Sequence, residues 1–352
     1  MFFYLHIPFC RQKCLYCKFA LTPKFDELKV RIYIDALKTE IEEFFDQNSE
    51  ISIETIYFGG GTPSILTGEQ ISEILEIFRK QRGFSNISEI TMESNPEDIT
   101  SEYIQNLSKL GINRLSLGVQ TLNSSSLQMT GRSNSNEAIF RAFDIITKGP
   151  IENISIDLIA GLPGTIQGQI VSDLNKIFSH ITPKHVSIYM LEDELYPPDW
   201  KSHLPSEEII QSEYLSGSKW LQEKEFRRYE LSNFAKSGFE SKHNRSYWNH
   251  SQYRGFGLAA ASFVNGKRST NSSSFSGYYR GEREEEILTE DSLCIERIMF
   301  GLRTSGVFLY ELENKDIVER FQKEGLLEIQ EEKVFLTSTG IFLIDHIISE
   351  LI

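Results

Sequence analysis

Residues 2–17 of the chain read FFYLHIPFCRQKCLYC, and this stretch constrains the fold more than any other. Its first part, Phe2–Ile7, is short, aromatic and apolar, which predicts a β-strand. Three of the four cysteines, Cys10, Cys14 and Cys17, follow at once. Thiols clustered this closely in a long chain are more typical of a metal or redox site than of a disulfide framework, which scatters its pairs along the sequence.

The alternation of strand and helix continues through the first half of the chain. Six near-continuous apolar runs alternate with helical patterns up to about residue 190, which predicts an α/β fold with a parallel sheet covered by helices. Ligands bind such sheets at the C-terminal ends of the strands. The predicted strands are Phe2–Ile7, Glu54–Phe58, Glu89–Glu93, Asn113–Val119, Asn153–Ile159 and Lys184–Leu191. The predicted helices are Leu28–Phe45, Glu69–Arg79, Ser101–Leu110, Asn136–Thr147 and Gln167–Phe178.

The pattern changes after residue 191. The chain is irregular over Glu192–Leu204, helical over Glu207–Glu223, and rich in glycine, serine, asparagine and aromatics over Lys236–Ser276, which predicts a long ordered loop or short strands. The charge run Glu282–Glu286 is interpreted as a solvated boundary. The remainder predicts a smaller α+β domain that resembles a winged-helix arrangement. The predicted units are a barrel over 1–205, a helix with loops and strands over 206–285, and a C-terminal domain over 286–352.

Charge and hydropathy exclude several classes of function. Acidic residues number 50 and basic residues 36, so the formal net charge is −14 and a nucleic-acid partner is not expected. No apolar run reaches the length of a membrane helix, and any association with a membrane is expected only through a partner protein. The first residues lack the basic segment of a secretory signal, so the expected location is cytoplasmic.

The spacing Cys10-x3-Cys14-x2-Cys17 is the strongest chemical signal. Three thiolates on one short loop can bind three irons of a 4Fe–4S cluster and leave the fourth iron open to another ligand. A zinc site completed by His6 or by a distant residue is the alternative, although zinc ligands usually come as two separated pairs. Cys294 lies in an amphipathic helical stretch and is interpreted as a free thiol.

A three-cysteine loop after the first strand of a β/α repeat resembles the radical S-adenosylmethionine (SAM) superfamily. The resemblance implies a partial (β/α)6 barrel in which the open iron binds the amino and carboxylate groups of SAM. In that superfamily one electron from the cluster cleaves SAM and produces a 5′-deoxyadenosyl radical. Whether SAM is cleaved by this chain is left open by the sequence.

Further motifs resemble the oxygen-independent coproporphyrinogen oxidase family and its HemW-type branch. They are Gly59-Gly-Gly-Thr-Pro-Ser64, Glu93-Ser-Asn-Pro96, Ser116-Leu-Gly-Val-Gln120, Gly131-Arg132 and Ile156-Asp-Leu-Ile-Ala-Gly-Leu-Pro-Gly164. The resemblance places Gly60, Gly61 and Thr62 at the methionyl part of SAM. It also places Glu93 and Asp157 at the ammonium or the ribose, Gln120 and Arg132 around the carboxylate, and Tyr4 beside the cluster.

Two features separate the branches of this family. The oxidases carry a fourth cysteine two residues after the third, where this chain has Phe19, whereas the HemW-type branch has the motif His-Asn-x-x-Tyr-Trp, found here at 243–248. The resemblance therefore implies a heme chaperone that binds a 4Fe–4S cluster, SAM and heme, receives electrons from a donor, and delivers heme to apo-hemoprotein clients. Radical decarboxylation of coproporphyrinogen III is the alternative function.

His243 is the predicted heme ligand, because imidazole suits iron. A histidine that hydrogen-bonds a neighbouring segment beside packed aromatics is the alternative interpretation.

Overall fold

A parallel sheet of six strands forms the centre of the computed structural model, which describes residues 1–81, 84–191 and 197–352. The strands pair in chain order, as the sequence predicts, and their bounds lie within two residues of the predicted ones. They are β1 (Phe2–Ile7), β2 (Thr55–Gly60), β3 (Glu89–Ser94), β4 (Arg114–Gln120), β5 (Asn153–Ala160) and β6 (His185–Met190). The α/β class and the barrel-like parallel sheet are therefore confirmed.

Helices cover the outer face of this sheet. They begin at side-chain caps: Asp26, Thr67, Thr100 and Ser135 each accept a hydrogen bond from a backbone N–H of the first turn. The helices are α1 (Glu27–Gln47), α2 (Gly68–Arg79), α3 (Ser101–Lys109), α4 (Ser124–Met129), α5 (Asn136–Thr147) and α6 (Gln169–Phe178). The short helix α4 was not predicted, because its six residues are too few for a periodic pattern.

The two faces of the barrel strands differ in polarity more than the sequence predicts. On β4, Leu115, Leu117 and Val119 are fully buried in the apolar core beneath the helices, whereas Arg114 and Ser116 face the interior of the barrel. Neighbouring strands also turn polar side chains inward. The strands are thus not near-continuously apolar, because the barrel interior is lined with polar groups instead of being filled with branched apolar side chains.

The sheet continues beyond the six parallel strands at both edges. The strand β9 pairs in parallel with β1 and is followed by three antiparallel strands, while β8 pairs antiparallel with β6. The elements after the barrel repeats are α7 (Glu207–Glu223), β7 (Arg227–Arg228), β8 (Asn233–Ala235), α8 (Lys242–Trp248), β9 (Tyr253–Phe256), β10 (Ala261–Val264), β11 (Lys267–Asn271), α9 (Phe275–Tyr279) and β12 (Arg283–Ile287).

Two interpretations of this middle region need correction. The charge run Glu282–Glu286 is largely strand β12, which pairs with β11 and exposes every residue; it is solvated, as predicted, but forms an element of the sheet. Helix α8 occupies part of the predicted loop. Of the predicted irregular segment Glu192–Leu204, residues 192–196 lie outside the described residues, and Pro198–Trp200 forms a short 3-10 turn.

The C-terminal residues form a small α+β unit. Its strands pair in the order β13 (Val307–Phe308), β15 (Lys333–Leu336), β14 (Leu327–Gln330), and its helices are α10 (Glu290–Arg303), α11 (Lys315–Lys323) and α12 (Ile344–Leu351). This arrangement agrees with the predicted winged-helix-like domain. None of the helices within the described ranges combines the length and apolar character that spanning a bilayer would require.

Candidate functional site

The cysteine loop is fastened to the barrel at several points. Backbone N–H groups of Cys10 and Leu15 donate to the carbonyl oxygens of Thr22 (3.2 Å) and Thr130 (3.0 Å), and the N–H of Cys17 donates to Cys14 within the loop (3.0 Å). The three cysteine side chains are half-buried. These backbone hydrogen bonds fix the ends of the cysteine loop against the barrel.

The three cysteines line a cavity of about 480 Å³ at the C-terminal ends of the strands, which we call the outer cavity. Every predicted cofactor residue except Tyr4 and His243 lines it as well. The predicted residues present there are Cys10, Cys14, Cys17, Gly60, Gly61, Thr62, Glu93, Gln120, Arg132 and Asp157. The parallel topology brings together residues that are far apart in sequence, because the C-terminal ends of parallel strands meet at one edge.

The donor set fits an iron–sulfur cluster better than a single ion. His6, the proposed completion of a zinc site, is buried, and its Nε2 and Nδ1 atoms lie 2.7 Å from the Ala20 carbonyl oxygen and 3.1 Å from the Tyr4 hydroxyl. Within the described part of the chain, no three His, Cys, Asp or Glu side chains converge on one ion position. A cubane cluster binds its cysteines at separate corners, so it suits three thiols spread along a cavity rim.

Burial raises the pKa of the Cys17 thiol. Because iron binds the thiolate, binding of a cluster at Cys17 would release this proton.

The glycine motif brings β2 against the cysteine loop. A Cβ atom at Gly61 would lie 2.6 Å from the Phe9 carbonyl oxygen, and Gly60 has a φ of +115°, which side chains rarely adopt. The next residue, Thr62, places its Oγ1 atom 3.1 Å from the Cys10 sulfur. The glycines thus allow the base of the cysteine loop to approach β2 closely, in addition to lining the cavity.

Two carboxyl groups lie at the inner wall of the outer cavity. Glu93 accepts hydrogen bonds from the Tyr57 hydroxyl (2.8 Å) and the Gly60 N–H (3.2 Å), and desolvation raises its pKa to about 7. Asp157 accepts from Ser116 (2.9 Å) and Ser187 (2.8 Å), and desolvation also raises its pKa. Both groups therefore favour a cation beside them more strongly than surface carboxylates would.

On the opposite side, Arg132 connects the cavity wall to the cysteine loop. Its guanidinium donates to the Tyr16 hydroxyl (2.9 Å), the Asn95 side chain (3.0 Å) and the Gly118 carbonyl (2.7 Å). Nearby Gln120 has a φ of 68° at an irregularity of the β4–β5 pairing, which turns the strand end at the cavity. Such positive φ is uncommon outside glycine and is often associated with functional sites.

Asn95 and Tyr16 were missed as site residues by the sequence reasoning. Asn95 was interpreted as a turn residue, yet its amide donates to the Thr62 hydroxyl (3.2 Å) while its oxygen accepts from Arg132. Its place within the motif Glu93–Pro96, two residues after a predicted site residue, was the available signal. Tyr16 lies between Cys14 and Cys17. Its position within the cysteine motif was the only signal in the sequence.

Tyr4 and His243 line a second cavity of about 320 Å³, which we call the inner cavity. It lies deeper in the barrel and shares Phe19, Gly60, Glu93, Ser116 and Tyr189 with the lining of the outer cavity. Tyr4 stacks on Tyr57 with ring centroids 6.1 Å apart. Tyr4 therefore does not line the cysteine-bearing outer cavity, and its predicted place beside the cluster stays a prediction.

His243 lies at the opposite end of the barrel from the cysteines. Its Nδ1 atom is 2.7 Å from the Thr55 hydroxyl and its Nε2 atom 2.9 Å from the Tyr247 hydroxyl. Its side chain is 1% exposed, and burial lowers its pKa to about 3. Both ring nitrogens are hydrogen-bonded in this structure, which is the arrangement that the alternative interpretation describes, and heme ligation by His243 stays a prediction.

Helix α8, which carries the His-Asn-x-x-Tyr-Trp motif, closes the N-terminal end of the barrel. The Glu89 carboxylate, at the start of β3, accepts hydrogen bonds from the backbone N–H groups of Lys242 and His243, both at 3.1 Å. A carboxylate at a helix N-terminus also interacts favourably with the helix dipole. Trp248, at the end of α8, packs against Phe300 of α10 with ring centroids 5.5 Å apart.

Comparison with known proteins shows the family to which this chain belongs. A family model described as the radical SAM superfamily matches residues 4–177, so the barrel with its cysteine loop is a radical SAM domain. The heme chaperone HemW of Lactococcus lactis is 35% identical over 94% of this chain and 89% of its own length. That of Bacillus subtilis is 32% identical over 96% of this chain and 95% of its own length. The chain belongs to the HemW heme chaperone family.

A solved structure shows the same fold over nearly the whole chain. Coproporphyrinogen III oxidase (HemN) from Escherichia coli, described as a radical SAM enzyme, matches with a TM-score of 0.86 over 99% of this chain and 88% of that one. The two sequences are 23% identical in this match. The likeness therefore concerns the architecture, including the extended sheet and the C-terminal unit.

Proposed function

We propose that this chain is a heme chaperone that binds a 4Fe–4S cluster through Cys10, Cys14 and Cys17, binds SAM in the outer cavity, and delivers heme to apo-hemoprotein clients. The observation that carries the proposal is the position of three half-buried thiols on the rim of a cavity whose other walls carry carboxyl, hydroxyl, amide and guanidinium groups. The names of the relatives support the heme-delivery part.

The outer cavity offers SAM partners of both charges. Its cationic ammonium and sulfonium groups suit the Glu93 and Asp157 carboxyls, and its carboxylate suits the donors on the Arg132 side. The bound cluster would supply an open iron for the amino and carboxylate groups of SAM. Gly60, Gly61, Thr62 and Gln120 also line this cavity.

The first test removes one thiol. Cys14→Ser, prepared and reconstituted without oxygen, should lose the brown absorbance and most of the iron, because two thiolates cannot hold the cube. The matched control is Cys294→Ser, which changes a cysteine of α10 and should retain both. Full iron content in Cys14→Ser would contradict the ligand assignment.

The second test concerns function. The cluster-loaded protein should give a Soret band on heme titration and transfer that heme to an apo-hemoprotein. It should not convert coproporphyrinogen III to protoporphyrinogen in the presence of SAM and a reductant. Formation of protoporphyrinogen would contradict the chaperone proposal and favour the oxidase.

A further inference from the structure

The inner cavity contains a buried guanidinium on which Glu89 and Asp157 act as opposite charges, although among the described residues neither forms a direct ion pair with it. Arg114, the first residue of β4, is 2% exposed and lines this cavity. Among the described residues, its Nε atom has no hydrogen-bond partner. A buried guanidinium is costly unless hydrogen bonds and opposite charge compensate for lost water, so this arrangement points to a missing acceptor.

Within the described ranges, the neighbours of Arg114 in the sheet also have unpaired polar atoms, of which the Thr91 hydroxyl can donate to an added acceptor, whereas the Asn153 oxygen needs a donor. In the strand register Arg114 lies between Thr91 of β3 and Asn153 of β5. The Thr91 hydroxyl and the Asn153 side-chain oxygen are also buried without a partner among the described residues. Three adjacent positions of one layer thus have unsatisfied polar atoms, whereas buried polar groups in proteins are nearly always paired.

The nearby carboxylates are occupied elsewhere. Glu89 accepts from the N-terminus of α8, as described above, and Asp157 accepts from three serine hydroxyls, those of Ser116, Ser155 and Ser187. Glu93 pairs in register with Ser116, two residues further along β4 than Arg114, and its hydrogen bonds come from Tyr57 and Gly60. None of these groups supplies the acceptor that Arg114 lacks.

We propose that the inner cavity is a binding site for a carboxylate group, with the Arg114 guanidinium as its anchor. A carboxylate has two acceptor oxygens and one negative charge, which match the geometry and charge of a guanidinium. The volume of about 320 Å³ accommodates a short carboxyalkyl group. Because the two cavities share part of their lining, such a group can belong to a ligand whose remainder occupies the outer cavity.

Two sources of a carboxylate fit this chemistry. Assignment of the site to a propionate arm of heme rests on the proposed function, whereas assignment to a free short-chain carboxylic acid does not. The first experiment uses propionate itself. In the full-length, cluster-loaded protein, about 0.1 M propionate should raise the unfolding temperature by about 2 °C over an equal concentration of chloride. The neutral analogue propionamide should have no effect.

Variants locate this response. Arg114→Met should abolish the propionate shift, whereas Arg79→Met should retain it, because Arg79 is a half-buried arginine of α2 that pairs with Glu76 and does not line the inner cavity. If Arg114→Met does not fold, Arg114→Lys replaces it and should reduce the shift by more than half. The proposal would be overturned by an undiminished shift in the Arg114 variants or by the absence of a propionate-specific shift in the wild type. The inner cavity would then be interpreted as filled with water only.

A second experiment identifies the source. Esterification of both heme propionates should weaken binding to the wild type about tenfold or more and should leave binding to Arg114→Met unchanged. If the ester and the acid bind equally while the propionate shift depends on Arg114, the ligand is a free acid. If the wild type binds no heme but responds to propionate, the chaperone proposal fails and the carboxylate site stands.

Discussion

Glu93 is a carboxyl group held between the outer and inner cavities. Desolvation raises its pKa from 4.5 to about 7, and the hydrogen bond from Tyr57 acts in the opposite direction. Because the folded-state pKa exceeds the unfolded one, the folded chain binds this proton more tightly. Ionisation of Glu93 therefore destabilises the fold progressively as the pH rises from about 4.5 through 7.

A bound cation should offset this cost, which makes SAM binding dependent on pH. The affinity for SAM should increase about tenfold between about pH 6 and pH 8, as Glu93 becomes ionised. Anaerobic calorimetry of the cluster-loaded protein measures this change. Glu93→Gln should remove most of the pH dependence, whereas Glu97→Gln, which alters another carboxyl of the outer cavity, should retain it. Equal pH profiles for the two variants would contradict the role given to Glu93.

His243 yields a prediction about stability. His243→Ala should lower the free energy of unfolding by roughly 2–4 kcal/mol, because it leaves a cavity and removes the partners of Thr55 and Tyr247. Heme binding should persist in the folded variant, since neither nitrogen is free. Denaturant unfolding and heme titration test the two statements, with the exposed His203→Ala as control. Unchanged stability combined with loss of the Soret band would instead support heme ligation by His243.

Sequence motifs predicted much of the lining of the outer cavity, whereas Tyr4 and His243 line the inner cavity. A motif at a strand end fixes the end at which its residues lie, so Gly60, Glu93 and Asp157 were placed correctly. The His-Asn-x-x-Tyr-Trp motif follows no predicted strand, and the partner of His243 is Thr55, which is 188 residues away in sequence. Without that contact, the local sequence could not show which end of the barrel receives the motif.

At the scale of single elements, the strands show what hydrophobic patterning misses. The inward positions of β4 are Arg114, Ser116, Gly118 and Gln120, a period of two within a segment that was interpreted as mainly apolar. Both faces of a parallel sheet are covered, so polarity on one face does not indicate exposure to solvent. Here the polar face surrounds cavities inside the barrel. The strands were therefore predicted correctly, whereas the polarity of the barrel interior was not.

Helix α8 and strand β12 were missed for different reasons. Helix α8 has only seven residues, and besides the local cap Ser241 its N-terminus contacts Glu89, a tertiary contact that local propensity does not contain. Strand β12 is charged and fully exposed, so it lacks the apolar alternation by which strands are recognised. Its charges also suit an edge strand, because they discourage pairing with another chain.

The contact between β2 and the cysteine loop leads to a prediction about cluster retention. Gly61→Ala should lower the iron bound per chain by about half or more, because its Cβ would lie 2.6 Å from a backbone oxygen that cannot move without shifting the loop. Gly68→Ala is the control: its nearest contact would be 3.7 Å away, in the first turn of α2. Iron analysis after anaerobic reconstitution distinguishes the two, and equal iron contents would contradict the packing argument.

At the scale of the whole molecule, a buried ion pair joins the barrel to the sheet extension. Glu40 of α1 accepts hydrogen bonds from Arg254 (2.8 Å), the Gly257 N–H (2.9 Å), Asn271 (2.9 Å) and Tyr278 (3.0 Å). These partners belong to β9, β11, α9 and the segment after β9. One carboxylate thus organises the region that follows residue 250 around the first helix.

Removal of this carboxylate should destabilise the fold strongly. Glu40→Ala should lower the free energy of unfolding by about 3–5 kcal/mol, because Arg254 stays buried without its partner. Glu73→Ala is the control, since that residue pairs with Lys38 and Arg31 at a more exposed position and should cost about 1 kcal/mol or less. Urea unfolding measures both, and similar losses for the two variants would contradict the proposed difference.

The position of β1 between β2 and β9 has a consequence during protein synthesis. Phe2 pairs with Thr55 on one side but with Tyr253 on the other, so one edge of β1 has no strand to pair with until about 250 further residues have been translated. At typical ribosome speeds this interval is on the order of 10–50 s. The nascent chain thus carries the cysteine loop on a half-paired strand for that time, and we expect cluster insertion to follow release from the ribosome.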